Sequence, residues 1–151
     1  MSKQETFVRI HAAYKEQAGR LIKAAQDAHA ASTSEEAKAE GKYDTRGTEA
    51  AYLAGAQAEQ AEHAQRALAE LESFKPKDFD YDDTIALGAL VETEKSGAIT
   101  YYFLLPHGGG ITDEHEGFDL NVLTPDAPFY QNLLGQKAGA TVEQTLILGV
   151  E

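Results

Sequence analysis

Lys75-Pro76-Lys77-Asp78-Phe79-Asp80-Tyr81-Asp82-Asp83 divides the chain. Residues 1–75 hold 19 alanines and no proline. Residues 76–151 hold 6 alanines, all four prolines (Pro76, Pro106, Pro125, Pro128) and 9 of the 13 glycines. Ala-rich, Pro-free sequence favours long helix, whereas Gly, Pro and β-branched residues favour strands and turns. Charge divides at the same place: 10 basic and 12 acidic residues before it, net −2, against 3 basic and 13 acidic after it, net −10. The stretch itself reads as an acidic linker whose Phe79 and Tyr81 lie against the module that follows. The expected architecture is therefore two modules, 1–75 helical and 76–151 α+β.

Working outward on the N-terminal side, apolar residues recur at Phe7, Ile10, Tyr14, Ala18, Leu21, Ala25 and Ala28. A second series runs through Leu53, Ala56, Ala61, Ala64, Leu68 and Leu71. Steps of three and four place each series on one helical stripe. Helices of ~29 residues would each be about 43 Å long. Narrow, alanine-rich stripes suit an antiparallel coiled-coil hairpin, a rod able to reach a partner. Between the helices, Thr33 and Glu36 have capping-box spacing, Gly41 can end a short helix, and Asp44 or Thr45 can cap the next. The hairpin tip, about residues 32–44, would then display Glu35, Glu36, Glu40 and Asp44.

On the C-terminal side, strand signals cover Ile85–Glu92, Ile99–Leu105, Asp119–Thr124 and Gln144–Val150. Ala127–Leu134 reads as one short helix, with Pro128 in its first turn and Gly135 stopping it. Four or five strands and a helix make a small α+β module.

Composition narrows the function. The 151 residues, 16.3 kDa, carry 13 Lys+Arg against 25 Asp+Glu, a formal charge of −12. A protein that coats nucleic acid needs a basic excess to replace counterions, so that class is disfavoured. The absence of cysteine excludes disulfides, thiolate zinc sites and Cys nucleophiles, and fits a reducing cytoplasm. The start, MSKQETFVRI, lacks an apolar signal core, and no run approaches the ~18 apolar residues of a membrane span. The chain reads as soluble, acidic and cytoplasmic, with no membrane partner.

The chemical motifs have modest readings. His107-Gly108-Gly109-Gly110 resembles a lipase oxyanion loop, but no Gly-x-Ser-x-Gly nucleophile accompanies it, and a flexible loop is expected. His107, Asp113, Glu114, His115 and Glu116 lack helical metal-ligand spacing and read as an exposed acidic loop, so no intrinsic metal site is expected. His11, His29 and His63 lie on the long helices without an assigned role. The tip acids are better placed. Carboxylates are hard ligands suited to Mg²⁺, which takes one or two protein oxygens and keeps its waters. Tip acids would need further ligands from a partner.

Two segments carry a family resemblance. Glu40-Gly41-Lys42-Tyr43, leading through Asp44 and Glu49 into an Ala/Gln/Glu-rich helix, resembles the tip-to-helix stretch of the Gre (GreA/GreB) family of bacterial transcription elongation factors. Ala127-Pro128-Phe129, with Asn132-Leu133-Leu134-Gly135-Gln136-Lys137-Ala138-Gly139, resembles that family's Ser-Pro-apolar and Leu-Leu-Gly-Lys signature. Ala127 stands where the family has Ser, Ala140 where it has Asp, and Gln136 shifts the Lys by one. With Tyr43 aligned, the family's tip Asp falls on Glu36 and its tip Glu on Ala39, with Glu40 and Asp44 the nearest carboxylates.

The resemblance implies an N-terminal antiparallel coiled coil followed by an FKBP-like α+β domain. It implies RNA polymerase as partner, bound at the secondary channel, with nascent RNA met indirectly and DNA binding as part of the same context. Glu36, Glu40 and Asp44 would act in the polymerase site on its Mg²⁺, the protein having no cofactor of its own and no complete active site. Pro128 and Phe129 would dock on the polymerase, and Arg9, Lys15, Arg20 and Lys23 would offer a patch toward RNA. A monomer is implied. A channel-binding regulator without cleavage activity, a prolyl isomerase and a helical adaptor remain as alternatives.

Overall fold

The computed structural model describes residues 1–32 and 46–151. Helix α1 spans Lys3–Ser32 and helix α2 spans Arg46–Ser73. Six strands follow among the described residues: β1 Leu90–Lys95, β2 Ala98–Leu104, β3 Thr112–His115, β4 Phe118–Leu123, β5 Thr141–Val142 and β6 Thr145–Val150. Helix α3, Pro128–Leu133, lies between β4 and β5. The chain is α+β, as expected. The expected tip helix and its caps lie outside the described residues.

The strands form one sheet in the order β3-β4-β2-β1-β6-β5. All neighbours are antiparallel except β2 and β4, which run parallel. Three hairpins close with two-residue turns, Ser96-Gly97, Glu116-Gly117 and Glu143-Gln144, and both residues of each have positive φ. That is the turn whose twist matches the strands it joins. The first two turns place glycine second; Glu143-Gln144 holds the same conformation without one, which is why β5 left no turn signal. Strand β3 was also missed, because Thr112-Asp113-Glu114-His115 has only one buried position, His115.

The expected strand from Ile85 begins at Leu90 instead. The backbone of Ile85 is spent on the segment after α3, with its N–H on Gln136 O at 2.9 Å and its C=O taken by Gly135 N at 3.0 Å. Gly88 N then turns onto Leu104 O.

Close packing gathers the residues into two compact units, one of 1–14 with 70–151, the other of 15–69. In the first, strand alternation sorts the core onto two sheet faces. Phe7, Ile10 and Leu71 lie with Leu90, Tyr101, Phe103, Leu105, Leu120 and Val122 on one face. On the other, Tyr130 and Leu133 of α3 lie with Val91, Leu104, Ile147 and Val150. Phe7 anchors the first cluster, its ring 6.2 Å from Phe103 and 6.3 Å from Phe74.

In the second unit the buried apolar residues are alanines. Ala18, Ala25, Ala54, Ala61, Ala64 and Ala67 are buried, while Leu21 and Leu53, expected on the inner stripes, are 38% and 58% exposed. On α2 the buried series passes through Ala54 rather than Leu53.

Candidate partner-docking site

The segment after β4 positions Pro128 and Phe129, the two residues expected to dock. Thr124 Oγ1 donates to Asp126 Oδ1, and Ala127 N donates to Thr124 O at 2.9 Å, so the chain turns sharply. Ala127 is extended, with φ −79° and ψ 130°, and Pro128 occupies the first turn of α3. Proline suits that place because its fixed φ is helical and no N–H is lost there. Gln131 Nε2 donates to Pro125 O at 2.7 Å, and Asn132 Nδ2 to Glu143 Oε1 at 2.8 Å. Tyr130 and Leu133 face inward and hold the helix to the sheet.

Pro128 is exposed and Phe129 is half-buried. Phe129 packs edge-on against Tyr102, with ring centroids 5.0 Å apart. The two candidates are thus neighbours with different duties: Pro128 is presented, and Phe129 braces the turn that presents it. Burial pushes the Tyr130 and Tyr102 hydroxyls upward, so both stay neutral at ordinary pH. Glu36, Glu40 and Asp44 lie outside the described residues.

The glycine run Gly108–Gly110 is a loop between β2 and β3, with Gly108 buried and Gly109 and Gly110 exposed. A Cβ on Gly109 would lie 2.7 Å from Thr124 Oγ1, so the loop presses on the residue that begins the α3 turn. His107 Nε2 hydrogen-bonds Glu70 Oε2.

The acidic segment after it departs from expectation. Asp113–His115 belongs to strand β3, and His115 is only 1% exposed. His115 Nδ1 and Thr6 Oγ1 share a hydrogen bond of 2.8 Å, and Tyr101 stands edge-on at 4.8 Å. Tyr101 and Thr6 supply the apolar and polar faces that the imidazole needs. Among the described residues no group of three His, Asp or Glu side chains is arranged to hold a metal ion.

Arg9, expected in a patch toward RNA, is engaged with the protein. Its Nε donates to Asp113 Oδ2 at 3.1 Å and its Nη2 to the Glu114 carbonyl at 2.7 Å. It covers the outer edge of β3, which would otherwise offer unpaired backbone groups. Arg20 pairs with Glu16 on the same helix.

Sequence reasoning passed over Lys3. Its Nζ donates to Lys77 O and Glu151 O, both at 2.6 Å, and sits 5.0 Å from the centre of the Phe79 ring. Burial draws its amine down to about 8, against the opposing pull of Asp78 and Glu151. The signal in the sequence was Phe79, expected to lie against the module.

No family model matches the chain, and no curated protein matches it. Among solved structures it is similar to the crystal structure of GreA factor homolog 1 (Gfh1) of Thermus thermophilus. The identity is 16%, the coverage 93% of this chain and 94% of that one, and the TM-score 0.39. It is also similar to a structure described as the transcription factor Gfh1, with 18% identity, 93% and 92% coverage and a TM-score of 0.38. At such identities the functional reading rests on this chain's own residues. No helix among the described residues is long and apolar enough to cross a membrane.

Proposed function

We propose that this chain is a Gre-like transcription factor that binds RNA polymerase rather than an enzyme in its own right. In this reading α1 and α2 form a coiled coil that enters the secondary channel. The 76–151 module, FKBP-like in type, docks through Pro128 and Phe129. Glu36, Glu40 and Asp44 then assist the polymerase's Mg²⁺ in cleaving backtracked RNA. The protein would act as a monomer, in the cytoplasm, meeting nascent RNA and DNA only through the polymerase.

The observation that carries this reading is the Ala127–Gly139 segment. It holds the motif of the family resemblance, and it forms a short helix with Pro128 exposed at its start. Two helices of 30 and 28 residues flanking an acidic stretch support the same reading. Carboxylates suit Mg²⁺ chemically, and two-metal cleavage asks a factor to place oxygens beside a metal the polymerase already holds.

A second reading, a channel-binding regulator without cleavage, draws on one observation: Ala39 stands at the family's tip Glu position.

The test is a backtracked elongation complex carrying 5′-labelled RNA, incubated with the protein at moderate Mg²⁺. Shortening faster than with polymerase alone, lost when Glu36, Glu40 and Asp44 become Ala, is the expected result. Binding without shortening selects the regulator. Neither binding nor shortening overturns both readings.

A further inference from the structure

The helix-covered face of the sheet is not covered to its end. Its side chains lie in transverse rows set by strand register. Leu90 is opposite Phe103, Glu92 opposite Tyr101, and Glu94 opposite both Ile99 and Leu146. Phe118 extends the last row, one residue before the Thr100–Asp119 pair of β2 and β4. Phe7, Ile10 and Leu71 pack into the cluster that holds Leu90, Phe103 and Tyr101. The row Phe118–Ile99–Glu94–Leu146 forms the rim of that cluster: Ile99 packs against it and is half-buried, while Phe118 is 40% exposed and Leu146 36%. Four strands at ~4.8 Å spacing make the row about 14 Å wide, the length of roughly two and a half helical turns.

Carboxylates border this apolar row. Glu94 sits within it, and Glu92, Glu116 and Glu151 stand around the Tyr101 hydroxyl beside it. Glu116 is paired with the Met1 amino group at 3.2 Å, and Glu151 faces His115 and accepts from Lys3. Glu92 and Glu94 are half-buried and have no cationic partner among the described residues. Carboxylates without a partner beside apolar side chains complement a Lys or Arg brought by another chain. Residues 76–151 carry a net charge of −10, which repels phosphate backbones and anionic lipid.

We propose that this end of the sheet face docks a basic, apolar-faced segment of a protein partner: its apolar side chains lie on Phe118, Ile99 and Leu146, and its Lys or Arg side chains reach Glu92 and Glu94. The surface is on the opposite face of the sheet from Phe129 and Tyr102, and the inference does not depend on polymerase being the partner.

The test titrates the ¹⁵N-labelled full chain with three 18-residue peptides: a Leu/Lys amphipathic helix, a Leu/Glu counterpart, and a Ser/Lys peptide of equal charge. Only the Leu/Lys peptide is expected to shift the amides of residues 92–94, 98–101, 116–119 and 145–147. Glu92→Gln with Glu94→Gln, and separately Phe118→Ser with Leu146→Ser, should each weaken its Kd about ten-fold, the common scale for losing ~1.4 kcal/mol. Both pairs lie at or near the surface, and an unchanged amide spectrum elsewhere verifies the fold. Shifts centred on the 78–83 acidic run, an equal response to the Ser/Lys peptide, no response at millimolar peptide, or an unchanged Kd in both variants would each overturn the proposal.

Discussion

At the scale of single residues, two polar side chains hold the N-terminus of α1 to the sheet, and each makes a distinct prediction. Lys3 keeps an amine among two carbonyl oxygens and the Phe79 and Phe103 rings. Burial lowers its affinity for a proton to about 8, from the ordinary 10.5. Between those values the unfolded chain binds more protons than the folded one, so the contribution of Lys3 to stability rises with pH across that window. Pulsed acetylation read by mass spectrometry should give Lys3 a titration midpoint near 8, well below that of exposed Lys23. Lys3→Met should flatten the dependence of the urea midpoint between pH 8 and 10.5. Thr6 is the second case. It is fully buried and satisfies His115 Nδ1. Thr6→Val keeps the shape and removes the hydroxyl, leaving a buried ring nitrogen without its partner. A loss of about 1–3 kcal/mol in urea unfolding is expected, the cost of one orphaned polar group. A loss below ~0.5 kcal/mol would show that His115 finds another partner.

At the scale of elements, the three two-residue turns set strand register, and one carries strain in its sequence. Glu143 and Gln144 have φ of 49° and 65°, a region that side chains with a Cβ enter at a cost of about 1–2 kcal/mol. Replacing them with Asn-Gly suits the turn. Glycine returns part of the gain as chain entropy, so Glu143→Asn with Gln144→Gly should stabilise by about 0.5–1 kcal/mol net. Asn132 loses its bond to Glu143 in that variant, so Gln144→Gly alone is the cleaner comparison. A denaturant midpoint that falls in both would contradict the turn assignment. The same turn shows what was legible beforehand. Helix α3 was readable because Pro128 and Gly135 punctuate it, and β2 and β4 because their apolar residues are concentrated. Strands β3 and β5 were not, since β3 is held by backbone pairing and Arg9 rather than by apolar side chains, and β5 is two residues long. Pro128 and Phe129 are singled out by a motif, but sequence could not separate the exposed ring from the one braced on Tyr102. Lys3, Thr6 and His115 meet only across 74 to 148 residues of chain, beyond the reach of any local pattern.

At the scale of the whole molecule, composition and packing suggest two different cuts. Composition breaks at Pro76, whereas close packing joins residues 1–14 to 70–151. The difference lies in Phe7, Ile10 and Leu71, which come from the helical half of the sequence and bury themselves on the sheet. Fully burying an aliphatic or aromatic side chain contributes about 1.5–3 kcal/mol. Three of them supply roughly 5–9 kcal/mol, comparable with the whole stability of an ordinary domain, about 5–15 kcal/mol. A fragment of 76–151 should therefore expose Leu90, Phe103 and Leu120, bind a hydrophobic dye and unfold without a cooperative transition. A chain of 1–14 joined to 70–151 by a Gly/Ser linker regains that cover and should unfold cooperatively in urea. The linker must span the ends that α1 and α2 leave at Tyr14 and Glu70, so two lengths should be compared to separate a poor closure from a failed core. If 76–151 alone unfolds cooperatively at the midpoint of the linked chain, the boundary at Pro76 is the true one, and the residues from α1 and α2 add contact without being needed for the fold.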